Sequence, residues 1–146
     1  MFAKLAHKPT ESYVISRIWH RLDDIRVRFV LQQYVKRPNG YALADLFLPQ
    51  INMIVEVNER YHETDEQKLR DAIRNAEVRN AAKADVFVIR GSGNLDEIHR
   101  QVDDIVAEIR KRIAAQGESF LPCDYSVTRA TPEYCRSRGF FKVSMA

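Results

Sequence analysis

Apolar positions along this chain recur with two different periods, and the places where the period changes outline its elements. After Pro9 and Thr10, the residues Val14, Ile15, Ile18, Trp19 and Leu22 recur at helical spacing. This predicts a helix with Thr10 as its N-cap and with Glu11, Arg17, His20 and Arg21 on the opposite, polar face. Asp23 and Asp24 close it. From Ile25 to Leu31 apolar and basic residues alternate, which predicts a strand continuing toward Val35, and Pro38-Asn39-Gly40 is a turn. Two apolar runs follow, Tyr41 to Leu48 and Asn52 to Asn58, separated by Pro49-Gln50 and read as a pair of strands joined by a tight hairpin.

Helical spacing then returns. Thr64-Asp65-Glu66-Gln67 has the form of a capping box, in which Thr64 accepts from the Gln67 amide; it starts a helix to about Ala82 with Leu69, Ala72, Ile73 and Ala76 as a narrow apolar stripe. Residues 85–90 read as a short buried strand stopped by Gly91-Ser92-Gly93. Asn94-Leu95-Asp96-Glu97 is a second capping box, followed by Leu95, Ile98, Val102, Ile105, Ile109 and Ile113 at helical spacing. Beyond Gly117 the periodicity stops. Residues 1–116 are therefore read as one domain and 117–146 as a loop-rich tail or linker, with a short helix from Pro132 and a strand over 139–143.

Two carboxylates break the apolar runs. Asp45 lies within Leu43-Ala44-Asp45-Leu46-Phe47, and Glu56 within Ile54-Val55-Glu56-Val57-Asn58. A carboxylate in a buried strand loses hydration that pairing, hydrogen bonds or a metal must replace. Period two places Leu43, Asp45 and Phe47 on one face of the first strand and Ile54, Glu56 and Asn58 on one face of the second. If those faces coincide, Asp45, Glu56 and Asn58 converge. Such oxygen donors suit magnesium, or manganese in its place, sharing coordination with water and a substrate phosphate. The alternative is structural: Asp45 caps a turn and Glu56 pairs with a nearby arginine.

Composition narrows the field. The 146 residues suffice for one domain with a genuine core but not for two ordinary ones. With 45% hydrophobic and 29% charged residues, no apolar run of membrane-spanning length and no secretion-like start, the chain reads as a soluble cytoplasmic protein without membrane partners. Cys123 and Cys135 are too few and too far apart for a zinc ribbon. The net charge of +3, from 23 basic and 20 acidic groups, permits nucleic-acid binding without requiring it.

Read in order, the elements run helix, strand, strand, strand, helix, strand, helix. That α-β-β-β-α-β-α succession, with an acid in the second strand and Glu56-x-Asn58 ending the third, resembles the α/β restriction-endonuclease-like fold over residues 10–115. The PD-(D/E)xK site belongs to that fold, whose mixed central sheet is flanked by helices. Glu56-Val57-Asn58-Glu59-Arg60-Tyr61-His62, Asp71, Arg74 and the strand at 85–90 narrow the resemblance to the very-short-patch-repair-like branch. Together with Arg17-Ile18-Trp19-His20-Arg21-Leu22-Asp23-Asp24, they resemble the nuclease domain of modification-dependent restriction endonucleases that cut near hydroxymethylated or glucosylated cytosine.

The resemblance implies a magnesium-dependent endodeoxyribonuclease acting on double-stranded DNA, joined in that family to an SRA-type domain that reads the modified base, and dimeric where both strands are cut. Asp45 and Glu56 hold the metal, and Glu11 takes the place of an auxiliary acid serving a second ion. Asn58 stands where the family pattern usually has Lys; an amide positions water but carries no charge. Lys68 on the next helix is a weak substitute. His62 is placed to protonate the leaving oxygen, against a plain exposed-loop role. His20, Lys36, Arg37, Arg60 and Arg74 are the candidate DNA contacts, with a solvated surface, or an Asp71–Arg74 pair, as the alternative. Two rival functions stay open: a catalytically weak nucleic-acid-binding module of the same fold, and a protein-interaction domain in which the carboxylates are structural.

Overall fold

The computed structural model describes residues 9–60 and 64–123. Its elements are helix α1 (Pro9–Leu22), strands β1 (Val30–Arg37), β2 (Gly40–Leu48) and β3 (Met53–Asn58), helix α2 (Asp65–Ala82), strand β4 (Asp85–Arg90) and helix α3 (Leu95–Gln116). This is the predicted order. The sheet runs β1-β2-β3-β4, antiparallel across its first two pairings and parallel between β3 and β4. A parallel pairing needs a long crossover, which α2 supplies.

Both capping boxes form on the N-cap side: the Gln67 amide donates to Thr64 Oγ1 at 3.2 Å and the Glu97 amide to Asn94 Oδ1 at 2.9 Å. Each satisfies a helix-end N–H that has no partner within its own helix. The sheet separates two apolar clusters. On one face α1 and α3 contribute Val14, Ile18, Val102 and Ile109 against Leu46, Leu48, Met53, Val55 and Ile89. On the other, Val78 and Ala82 of α2 pack with Val35, Ala42, Ala44, Phe47 and Ile54. β3 is apolar on both faces because helices cover both.

Four expectations need correction. Residues 25–29 form no strand: the Asp24 carboxylate accepts from the Arg26 amide at 3.0 Å and from its guanidinium at 2.7 Å, and the Val27 amide bonds to the Asp24 carbonyl at 3.3 Å. That turn buries Val27 completely while Ile25 stays 72% exposed. Nor is the β2–β3 link a tight hairpin; it is a 3-10 turn, Pro49–Ile51, followed by Asn52 in the left-handed region at φ 50°. The stripe assigned to α2 faces solvent, with Leu69 62% and Ile73 49% exposed. The packed face instead carries Arg74, Val78 and Ala82, because the helix turns Arg74 toward Glu56.

Glu11 is the fourth. It lies on the inward face of α1 with Val14, Ile18 and Leu22, not on the polar face. The elements expected from Pro132 and over 139–143 lie outside the described residues, as does the stretch 61–63.

Candidate active site

The ladder between β2 and β3 pairs Leu48 with Met53, Phe47 with Ile54 and Leu46 with Val55, and stops there. The next residues across from one another are Asp45 and Glu56, and their side chains take over the backbone donors the ladder leaves. Asp45 Oδ2 accepts from the Val57 amide at 2.8 Å, and Glu56 Oε2 accepts from the Asp45 amide at 3.4 Å. Each carboxylate is thus aimed by the opposite strand. Both are buried, Asp45 at 6% and Glu56 at 8% exposure.

Burial, then the adjacent negative charge of Asp45, pushes the Glu56 carboxyl up to about 8. The Arg74 guanidinium works against that shift: its Nη1 lies 3.2 Å from Glu56 Oε1, and its Nη2 donates to the Leu43 carbonyl at 3.4 Å. The pairing of Glu56 with an arginine, raised from sequence as a structural alternative, is therefore present beside the paired carboxylates. It does not displace them, since the same Glu56 carboxyl still accepts from the Asp45 amide through Oε2.

A break in β1 completes the arrangement. Leu31 pairs with Leu46 and Gln33 with Ala44, but Gln32, which falls opposite Asp45, makes no ladder pair and holds a left-handed φ of 53°. Its side-chain amide donates to Glu11 Oε1 at 2.6 Å and to Asp45 Oδ1 at 3.4 Å. The two strands exchange faces at this level. Val30 and Phe47 pack in the α2 cluster on one side of the break, and Val35, Ala42 and Ala44 pack in the same cluster on the other. Leu43, Asp45 and Phe47 therefore do not share a face, contrary to the period-two expectation. Ile54 and Glu56 do, one packing in the α2 cluster and the other bonding Arg74.

Glu11 is delivered by the first turn of α1. Its amide donates to Glu59 Oε1 at 2.9 Å, and the preceding residue lies so close to Gly91 that a Cβ there would stand 2.7 Å from Thr10 Cγ2. Glu11, Gln32, Asp45 and Glu56 form a string. Among the described residues no three His, Cys, Asp or Glu side chains surround one ion-sized point, so Glu11 stands one amide away from the Asp45–Glu56 pair rather than within it.

The other predicted residues are spread more widely. Asn58 continues β3 beyond Glu56, and its Oδ1 accepts from the Arg60 amide at 3.0 Å. Arg60 pairs with Asp71 at 3.0 Å, so the anticipated Asp71–Arg74 pair is not the one formed, and Arg37 pairs with Glu77 at 2.7 Å. Arg74, a candidate phosphate contact, lies at the carboxylate site beside Glu56. Lys36 and Lys68 are exposed. His20 is exposed as well, and lies about 13 Å along α1 from Glu11, too far to join the site. His62 falls outside the described residues.

Gln32 and Glu59 were not anticipated. Gln32 reads as an ordinary outward polar residue, and nothing local marks its backbone. The burial of Glu11 did have a signal, since Glu11, Val14, Ile18 and Leu22 fall on one helical face.

Comparison with known proteins gives this geometry a family. No curated protein sequence matches the chain. The chain is similar to the solved 5-hydroxymethylcytosine-specific restriction enzyme AbaSI, with 27% identity and a TM-score of 0.63 over 88% of this chain and 50% of that one. It thus spans about half the length of AbaSI, and the mixed four-stranded sheet flanked by helices is the restriction-endonuclease-like fold. A family model described as restriction endonuclease PvuRts1 I-like, N-terminal, matches residues 1–121, and the chain belongs to that family.

Proposed function

We propose that the chain is a metal-dependent endodeoxyribonuclease domain that hydrolyses phosphodiester bonds in modification-dependent restriction. The Asp45–Glu56 pair carries this reading: two buried carboxylates meet where a backbone ladder ends, and burial, reinforced by the neighbouring Asp45, pushes the Glu56 carboxyl up to about 8. A donor set of hard, crowded, negatively charged oxygens fits a divalent cation such as Mg²⁺, with Mn²⁺ as a substitute. Asp45 and Glu56 would hold it, and Glu11, tied to Asp45 through Gln32, would serve a second ion. When bound, such an ion makes a water nucleophilic near neutral pH and offsets charge growing on the phosphoryl group.

The remaining work falls to the chain itself. The Val57 amide and Gln32 fix the direction of the Asp45 oxygens, and Arg74 favours the ionised form of Glu56. Asn58, two residues beyond Glu56, orients water through its amide. His62 is assigned the protonation of the departing 3′ oxygen. Lys36, Arg37, Arg60 and His20 are assigned to DNA phosphates, with Arg37 and Arg60 exchanging Glu77 and Asp71 for phosphate on binding.

The proposed partner is duplex DNA bearing modified cytosine, read by an SRA-type domain beyond this one. A homodimer accounts for cutting of both strands, and the cytoplasm is the setting in which such DNA is met. The 5-hydroxymethylcytosine specificity of AbaSI supports that substrate class. A second reading, a DNA-binding module with little activity, is favoured by Asn58, which leaves the site without the usual lysine charge. One experiment separates them: supercoiled plasmid, with and without hydroxymethylcytosine, is incubated with Mg²⁺ or Mn²⁺ and the wild type, Asp45→Ala or Glu56→Ala. Metal-dependent nicking lost in both variants is the expected result. Cutting that survives them rejects this site, and retardation without cutting selects the binding module.

A further inference from the structure

The hairpin formed by β1 and β2 extends past the carboxylate site, and its two faces differ. One is held from behind: Val35 and Ala42 are buried in the α2 cluster, and Arg37 is paired with Glu77. Alternation along the strands turns Tyr34, Lys36, Tyr41 and Leu43 to the opposite face, the side on which α1 brings Glu11 to Gln32. There Tyr34 and Tyr41 stack, with ring centroids 5.4 Å apart and planes 21° from parallel, yet remain 41% and 60% exposed. Leu31, on the near side of the break, is 56% exposed. Lys36 has no ion-pair partner among the described residues.

From this the geometry points to a second substrate contact: the stacked Tyr34–Tyr41 pair, with Lys36 beside it, grips the sugar–phosphate backbone of duplex DNA alongside the phosphate held at the Asp45–Glu56 site. The inference rests on the nuclease reading above and extends it. Tyr34 is two residues from Gln32 and Tyr41 four from Asp45, or about 7 and 13 Å along the strands. That span covers roughly two to four nucleotides of a duplex strand.

The chemistry suits that ligand. Ring faces lie against deoxyribose, phenolic hydroxyls donate to phosphate oxygens, and an unpaired ammonium adds charge complementarity to a polyanion. Two mutually stacked rings held from behind by α2 lose little freedom on binding. A cross-strand aromatic pair also stabilises a hairpin, so the test must separate that role.

Full-length Tyr34→Thr/Tyr41→Thr and Lys36→Gln proteins are compared with wild type by fluorescence anisotropy on a labelled duplex with Ca²⁺ in place of Mg²⁺, by KM and kcat on plasmid, and by thermal unfolding. The expected result is a dissociation constant and KM raised about 10-fold in the double variant, with kcat little changed. In Lys36→Gln, which disturbs no packing and so stands if the double variant misfolds, the slope of log affinity against log salt falls by about one. Unchanged affinity and salt slope, or a lowered Tm with affinity intact, overturns the proposal. If wild type binds duplex but never cuts it, the nuclease reading fails alone and anisotropy still decides this contact; if it binds no duplex, the contact is overturned too.

Discussion

The two ends of the β2–β3 pair are made by the same strands and behave oppositely. At the end nearer the connecting turn, Leu46, Phe47 and Leu48 face Val55, Ile54 and Met53 through an unbroken ladder, and each of the six is at most 3% exposed. One residue further on, the ladder is gone, and Asp45 and Glu56 supply acceptors for the backbone donors it would have used. The apolar end holds the strands at a fixed separation, and the acidic end uses that rigidity to keep two repelling groups together. Apolar packing and the proposed site thereby fall on adjacent residues.

Substitutions at the two ends should therefore separate function from folding. The largest effect is expected from Asp45→Asn: loss of DNA cutting by roughly two orders of magnitude or more, with a near-normal unfolding curve, measured by plasmid nicking and calorimetry. The opposite signature belongs to Leu46→Ala. Leu46 is fully buried, and truncation should cost about 2 to 5 kcal/mol in denaturant unfolding, with lost activity following lost fold.

The pH dependence of stability sharpens the contrast. Glu56 holds its proton up to about 8 in the folded chain against a reference of 4.5. Its contribution to stability is accordingly full below 4.5 and is lost as pH rises toward about 8, where the folded form must ionise. Glu56→Gln should flatten this fall and be more stable than wild type above about pH 8, by a few kcal/mol at most, on the order of the shift itself. Because Mg²⁺ competes with that proton, its stabilising effect on wild type should grow over the same range and vanish in Glu56→Gln; a pH-independent magnesium effect counts against the site. The smallest effect is assigned to Gln32→Ala, about 1 kcal/mol from the donor lost to Glu11.

The order of elements was legible because periodicity and both capping boxes are local signals. Asp45 and Glu56 were legible for a different reason: a charge inside an apolar strand is conspicuous whatever the tertiary structure. What could not be read was the exchange of faces at Gln32. Strict alternation assumes an unbroken strand, and Gln32 breaks it with a left-handed φ of 53°. The α2 stripe misled because apolar spacing says nothing of ionic demand: Arg74 faces Glu56 on the inward side of the helix, while Leu69 and Ile73 are left in water.

The irregularity at Gln32 has a bearing on solubility. β1 is one of the two margins of the sheet, and an uninterrupted margin is a template on which another chain can add a strand. A residue with φ 53° part-way along it breaks the regular row of amides and carbonyls that such growth requires. The bend that brings a glutamine to the acidic cluster thus also interrupts the pairing template along that margin.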